Sequence, residues 1–110
     1  MTVQHKQLAQ GRWFELSLLE QLANIGSEVN RALSWQEKNN PLYRERAFER
    51  ALELLSLTIA DAKNRKRLKE LTRLREALID YFCFDNQFQS SPDLWRKYFF
   101  AFNWAARAGR

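Results

Sequence analysis

Histidine and cysteine are nearly absent from this sequence: of 110 residues, one is His5 and one is Cys83. A single cysteine excludes an internal disulfide, and its place between Phe82 and Phe84 reads as a small hydrophobe in a reducing compartment. One histidine near the N-terminus cannot supply the paired Glu-x-x-His ligands of a carboxylate-bridged di-metal bundle. Nor can it complete the Arg-x4-6-His motif of helical ribonucleases, or act as the base beside a Ser or Cys nucleophile. There is no glycine-rich phosphate loop and no cysteine pair for zinc. The expectation is a non-enzymatic protein with no cofactor and no metal, a carboxylate row at Glu45, Glu49 and Glu53 being the only metal-site candidate. No apolar run approaches the roughly 18 residues of a membrane helix, and MTVQHKQLAQ contains no hydrophobic signal core. The chain therefore reads as soluble and cytoplasmic, with no membrane contact.

Glycine and proline are also scarce, three and two residues, while 45% of the chain is hydrophobic and 28% charged. That balance supports one globular core built from helices. Residues 1–11 read as a flexible arm and 12–110 as a single domain. Successive residues 100° apart place Phe14, Leu18, Leu22, Ile25, Val29, Ala32 and Leu33 on one stripe, predicting a first helix from about Arg12 to Lys38. Gly26 falls at the edge of that stripe, where it costs about 1 kcal/mol relative to Ala, so close approach by a neighbouring helix is expected.

Asn39-Asn40-Pro41 ends this helix and caps a second, about Pro41 to Ala60, with Tyr43, Ala47, Ala51, Leu54, Leu55 and Thr58 inward. A third, about Lys63 to Asn86, has a seam of Leu68, Leu71, Leu78 and Phe82 flanked by Leu74, Ile79 and Tyr81. Ser91-Pro92-Asp93 is a strong start signal for a fourth, about Pro92 to Ala108, which buries Trp95, Tyr98, Phe99, Phe102, Ala105 and Ala106. The predicted fold is all-α, an antiparallel up-down-up-down four-helix bundle.

The segments WFELSLLEQLANIGSEVNRAL (Trp13 to Leu33), AFERALELLSLTIAD (Ala47 to Asp61), RLKELTRLREALIDYF (Arg67 to Phe82) and LWRKYFFAFNWAAR (Leu94 to Arg107) resemble a widespread set of small bacterial proteins with this order of segments. That resemblance implies the helical fold and no activity. In architecture and charge, without a shared motif, the chain is also similar to the small four-helix bundles encoded by intervening sequences and accompanying retroelements. Some of those are basic oligomers that engage nucleic acid.

Charge is concentrated in one place. Between Lys63 and Arg75 lie seven basic residues (Lys63, Arg65, Lys66, Arg67, Lys69, Arg73, Arg75) against Glu70, a local +6 in a chain of net +5. Lys66, Lys69 and Arg73 share one helix face with Arg65 nearby, a surface suited to neutralising phosphates. The same face admits two other readings. It is internally balanced by Glu76 and Asp80, or it lies against the Glu45/Glu49/Glu53 row of another subunit or a protein partner.

Two charges fall on apolar stripes: Glu15 on the first helix and Arg75 among Leu68, Leu71, Leu78 and Phe82. An unpaired buried charge is costly. They are expected to form an embedded ion pair, to let the Arg75 head snorkel to water, or to line a pocket for a small anion.

Phe100 and Trp104 lie opposite Trp95, Phe99 and Phe102, so one bundle face cannot bury both sets. They predict an oligomer interface, with base stacking as the alternative given Arg96, Lys97 and Arg107 beside them. The functional expectation is an oligomeric bundle that offers a basic face to RNA or DNA, or to a complex that handles them. The alternative is a protein–protein interaction subunit.

Overall fold

The computed structural model describes residues 11–108, so the predicted arm, apart from Gly11, lies outside the described residues. Four α-helices account for most of the chain: α1 Leu18–Glu37, α2 Pro41–Ala60, α3 Leu68–Cys83 and α4 Pro92–Ala108. Two 3-10 segments, Arg12–Glu15 and Ala62–Arg67, precede α1 and α3. α1 is the central element, packed against α2 on one side and α4 on another, while α3 lies against α2.

The bounds of α2 and α4 follow from local chemistry. Asn39 takes a left-handed conformation (φ 57°) after α1. The Asn40 side chain accepts the Tyr43 N–H at 3.1 Å, and Pro41 occupies a first-turn position that has no N–H to satisfy. At α4, Ser91 Oγ accepts the Leu94 N–H at 3.2 Å.

The first helix differs from expectation. Trp13 belongs to a 3-10 turn, and α1 begins only at Leu18, behind a reciprocal capping box in which Ser17 and Glu20 accept each other's backbone N–H groups. Glu15 therefore sits in the preceding turn, exposed, and not on a helical stripe. Phe14 is likewise exposed. The third helix is shorter too, because Asn86 N–H and Phe84 N–H both return to Asp80 O and close it at Cys83. Cys83 and Phe84 consequently face solvent instead of filling the core.

The core comprises Leu22, Ile25, Val29, Ala32 and Leu33 of α1, Ala47, Phe48, Ala51, Leu54 and Leu55 of α2, Leu71, Leu74, Leu78 and Phe82 of α3, and Trp95 and Phe99 of α4, with Trp13 added from the 3-10 turn. Two ion pairs stitch it laterally. Glu28 is buried between Arg31 (2.6 Å) on its own helix and Arg50 (3.0 Å) on α2. Arg96 of α4 reaches Asn30 (2.9 Å) and Glu37 (2.7 Å) of α1.

At Gly26 the backbones of α1 and α4 come close. An added Cβ would lie 2.7 Å from Phe99 Cβ and 2.8 Å from Phe99 Cγ, atoms held by the backbone and not by a flexible tip. Helix propensity alone favours Gly26→Ala by about 1 kcal/mol. Overpacking reverses the sign: Gly26→Ala is expected to destabilise by about 1–3 kcal/mol, read as a lower denaturant midpoint, and a stabilised variant would contradict this contact.

Candidate nucleic-acid interface

The basic stretch is positioned by a buried polar clasp at its start. Gln21 of α1 donates from Nε2 to Trp13 O (3.1 Å) and to Asp61 Oδ2 (3.0 Å). Its Oε1 accepts Asn64 Nδ2 at 2.9 Å, and the same Asn64 amide donates to Thr58 O at 3.0 Å. Trp13 Nε1 donates to Thr58 Oγ1 at 3.0 Å, and that hydroxyl donates onward to Leu54 O at 2.8 Å. Asp61 completes the set, accepting the Lys63 backbone N–H at 3.2 Å and the Lys63 ammonium, which also reaches Phe14 O.

Each polar group in this clasp has a protein partner, as buried polar groups require. Its geometry dictates the surface beyond it. Asn64 is drawn inward, so within the tight Ala62–Arg67 segment the neighbouring Arg65, Lys66 and Arg67 project to solvent.

Burial acts to raise the Asp61 pKa. The hydrogen bonds from the Lys63 side chain, Gln21 and the Lys63 backbone, with the Lys63 charge, outweigh it and hold the carboxyl below its ordinary value. A carboxyl depressed in the folded state adds stability that is fully present above the unfolded pKa of about 3.9 and is lost as pH falls through the folded value. Asp61→Asn should therefore flatten the acid limb of the stability profile below about pH 4, relative to the native chain. An unchanged acid limb would show that the clasp does not depend on the charge.

Arg65, Lys66, Lys69 and Arg73 are all exposed. Among the described residues none of them forms an ion pair, whereas Lys63 is paired with Asp61 and Arg67 with Glu70 at 2.8 Å. The internal balancing that the sequence permitted does not occur. Asp80 is committed to the loop after α3, its two oxygens accepting the N–H groups of Gln87 (2.9 Å) and Phe88 (3.0 Å). Glu76 pairs with neither Lys69 nor Arg73. The acidic row of α2 is not a free stripe either: Glu49 and Glu53 are half-buried and engaged, and Glu45 lies 3.8 Å from Arg44.

Arg75 is exposed, not embedded. The helical wheel set it beside Leu68, but Leu68 is itself 42% exposed at the start of α3, so that flank is not part of the core. The true seam is Leu71, Leu74, Leu78 and Phe82. Glu15 and Arg75 thus form neither a buried pair nor a pocket. The buried polar residues are Gln21, Glu28, Thr58, Asp61 and Asn64 instead. Thr58 fell on the predicted inward stripe of the second helix, but the other four have partners up to 43 positions away, and no local pattern announced them.

Phe100 and Trp104 are 67% and 64% exposed, on the side of α4 away from buried Trp95 and Phe99. Between α1 and α4 runs an open groove of about 270 Å³, flanked by Asn30, Arg96 and Phe100. The Trp95 indole N–H is buried without a hydrogen-bond partner among the described residues. Partial burial and Glu45 push the Cys83 thiol above its ordinary value against the opposing effect of Arg44. Among the described residues no three or more His, Cys, Asp or Glu side chains are grouped to hold a metal ion, the Glu45/Glu49/Glu53 row included. No helix among them is long and apolar enough to cross a membrane.

No family model matches the chain, and no curated protein or solved structure matches it either.

Asn64 is the hub of the clasp. Asn64→Ala would leave Gln21 Oε1 unpaired in the interior and strip one of the two hydrogen bonds from Thr58 O, which keeps the Asp61 N–H at 3.3 Å, at a cost of about 1–3 kcal/mol. Amide exchange of the Ala62–Arg67 segment should accelerate along with that loss, and a variant as protected as the native chain would refute the role of Asn64.

Proposed function

We propose that the chain is a non-enzymatic, cytoplasmic, antiparallel four-helix-bundle protein that binds nucleic acid, or a complex that handles it, through Arg65, Lys66, Lys69 and Arg73. It self-associates through the outer face of α4. One observation carries the first part: these four exposed cations lack any acidic partner while other cations close by are paired. Like charges left uncompensated on one surface repel one another. A polyanion relieves that repulsion and releases its own counterions, which gives sequence-tolerant binding.

A protein-only partner requires an acidic surface opposite the patch. The chain's own acidic row offers little of one, since Glu49 and Glu53 are already engaged. Nucleic acid therefore matches the patch better than the acidic row of a second copy does.

Anisotropy titrations with single- and double-stranded oligonucleotides test this. Four phosphate contacts imply a loss of roughly a hundredfold in affinity between about 50 and 200 mM salt. The triple substitution Lys66→Ala, Lys69→Ala, Arg73→Ala should weaken binding to all sequences alike and reduce the salt slope by about 3. Because the three residues are exposed, stability should stay within about 0.5 kcal/mol of the native chain. Absence of binding at low salt, or a slope unmoved by the triple variant, overturns the proposal.

A further inference from the structure

The outer face of α4 carries an ordered set of charges around its exposed aromatics. Asp93, Phe100 and Arg107 recur every seven residues, so they fall nearly in line along the helix, and Lys97 and Trp104 interleave on the same face. All five are exposed, and Asp93, Lys97 and Arg107 make no ion pair among the described residues. Phe100 lies midway between the acid and the base. The face is therefore negative at its start, positive at its end and aromatic at its centre, over about 21 Å of helix.

We infer that this face is a two-fold interface between two copies of the chain, with the two α4 helices antiparallel and the axis passing beside Phe100. This rests on the proposed self-association and deepens it by fixing partner and register. An isologous contact requires a self-complementary surface. In this register Asp93 of each copy meets Arg107 of the other, and the Phe100 rings meet on the axis. Trp104 of each copy comes level with Lys97 of the other, on the same flank, as a cation–π contact requires. A parallel in-register pair would instead set Asp93 against Asp93 and Arg107 against Arg107. Asp93 and Arg107 also suit the local helix dipole at their ends, an effect internal to each copy that the test must separate. None of Arg65, Lys66, Lys69 or Arg73 is used, so both basic patches remain available. One helix pair is a small interface, which places the dissociation constant in about the micromolar range.

Sedimentation velocity on the full chain tests the register through charge reversal. In the proposed dimer, Asp93→Arg alone creates two Arg–Arg contacts and Arg107→Asp alone two Asp–Asp contacts. Each should weaken self-association by about tenfold or more. An equimolar mixture of the two variants restores both opposite-charge contacts, so it should dimerise to within about threefold of the native chain. The helix-dipole penalty is the same in homodimer and mixture and cannot produce that recovery.

Phe100→Glu should abolish the dimer with helical circular dichroism unchanged. A dimer that survives Phe100→Glu overturns the α4 interface. Single reversals without effect, or a mixture that fails to recover, overturn the register while leaving self-association standing. A native chain that stays at its 13.2 kDa monomer mass at every concentration overturns the register and the proposed self-association together, and leaves the nucleic-acid proposal untouched.

Discussion

The close approach of Gly26 to Phe99 sets the rest of this structure. A side chain at position 26 would collide with Phe99 Cβ and Cγ, so the missing Cβ is what lets α4 settle onto α1. Once seated, α4 buries Trp95 and Phe99, which stack with centroids 6.1 Å apart, and Tyr98 packs edge-on against Phe99 at 5.0 Å. Arg96 fixes the register by reaching Asn30 and Glu37. With its inner face committed to α1, the aromatic residues on the other side of α4 have nothing left to cover them. The exposure of Phe100 and Trp104 is thus a consequence of how tightly the opposite face is held.

The polar clasp imposes a second constraint, at the α2–α3 junction. A junction of six residues carrying four cations would, without an anchor, gain most from spreading into solvent. Asn64 and Asp61 oppose that by turning inward to Gln21 and Thr58, where each buried group left unpaired would cost about 1–3 kcal/mol. Of these cations Lys63 and Arg67 are paired, while Arg65 and Lys66 are held at the surface without being neutralised. An arrangement that only needed stability would place an acid among them, as happens at Arg67 with Glu70.

The sequence was informative wherever structure is set by neighbours in the chain. Asn40-Pro41 and Ser91-Pro92-Asp93 marked the starts of α2 and α4, because capping chemistry acts over three or four residues. It misled where a helical period ran through a break. Phe14 and Leu18 fit one stripe, which concealed the Ser17–Glu20 capping box and put Glu15 on a helix face that does not exist. Arg75 was misplaced because a wheel records angle but not which neighbours are present, and nothing covers the Leu68 flank. The basic residues Arg65, Lys66, Lys69 and Arg73 were legible as an exposed set. Their lack of acidic partners was not, since it depends on Asp80 being drawn away by loop amides.

Patch and aromatic face lie on different helices, and that separation has an energetic consequence. Four phosphate contacts give only a modest, salt-labile affinity, because each released counterion contributes on a logarithmic scale. In the proposed dimer, a second copy joined through α4 adds four more cations without altering the first patch. Its engagement then costs only the closure of a rigid linkage, so the two affinities combine through a high local concentration. The proposed two-fold axis through α4 would also fix the relation between the patches, so gain in affinity would depend on a ligand long enough to reach both. On the proposed reading, a weak patch on a weakly dimerising bundle becomes selective for extended polyanions over short ones. Neither surface accomplishes that alone.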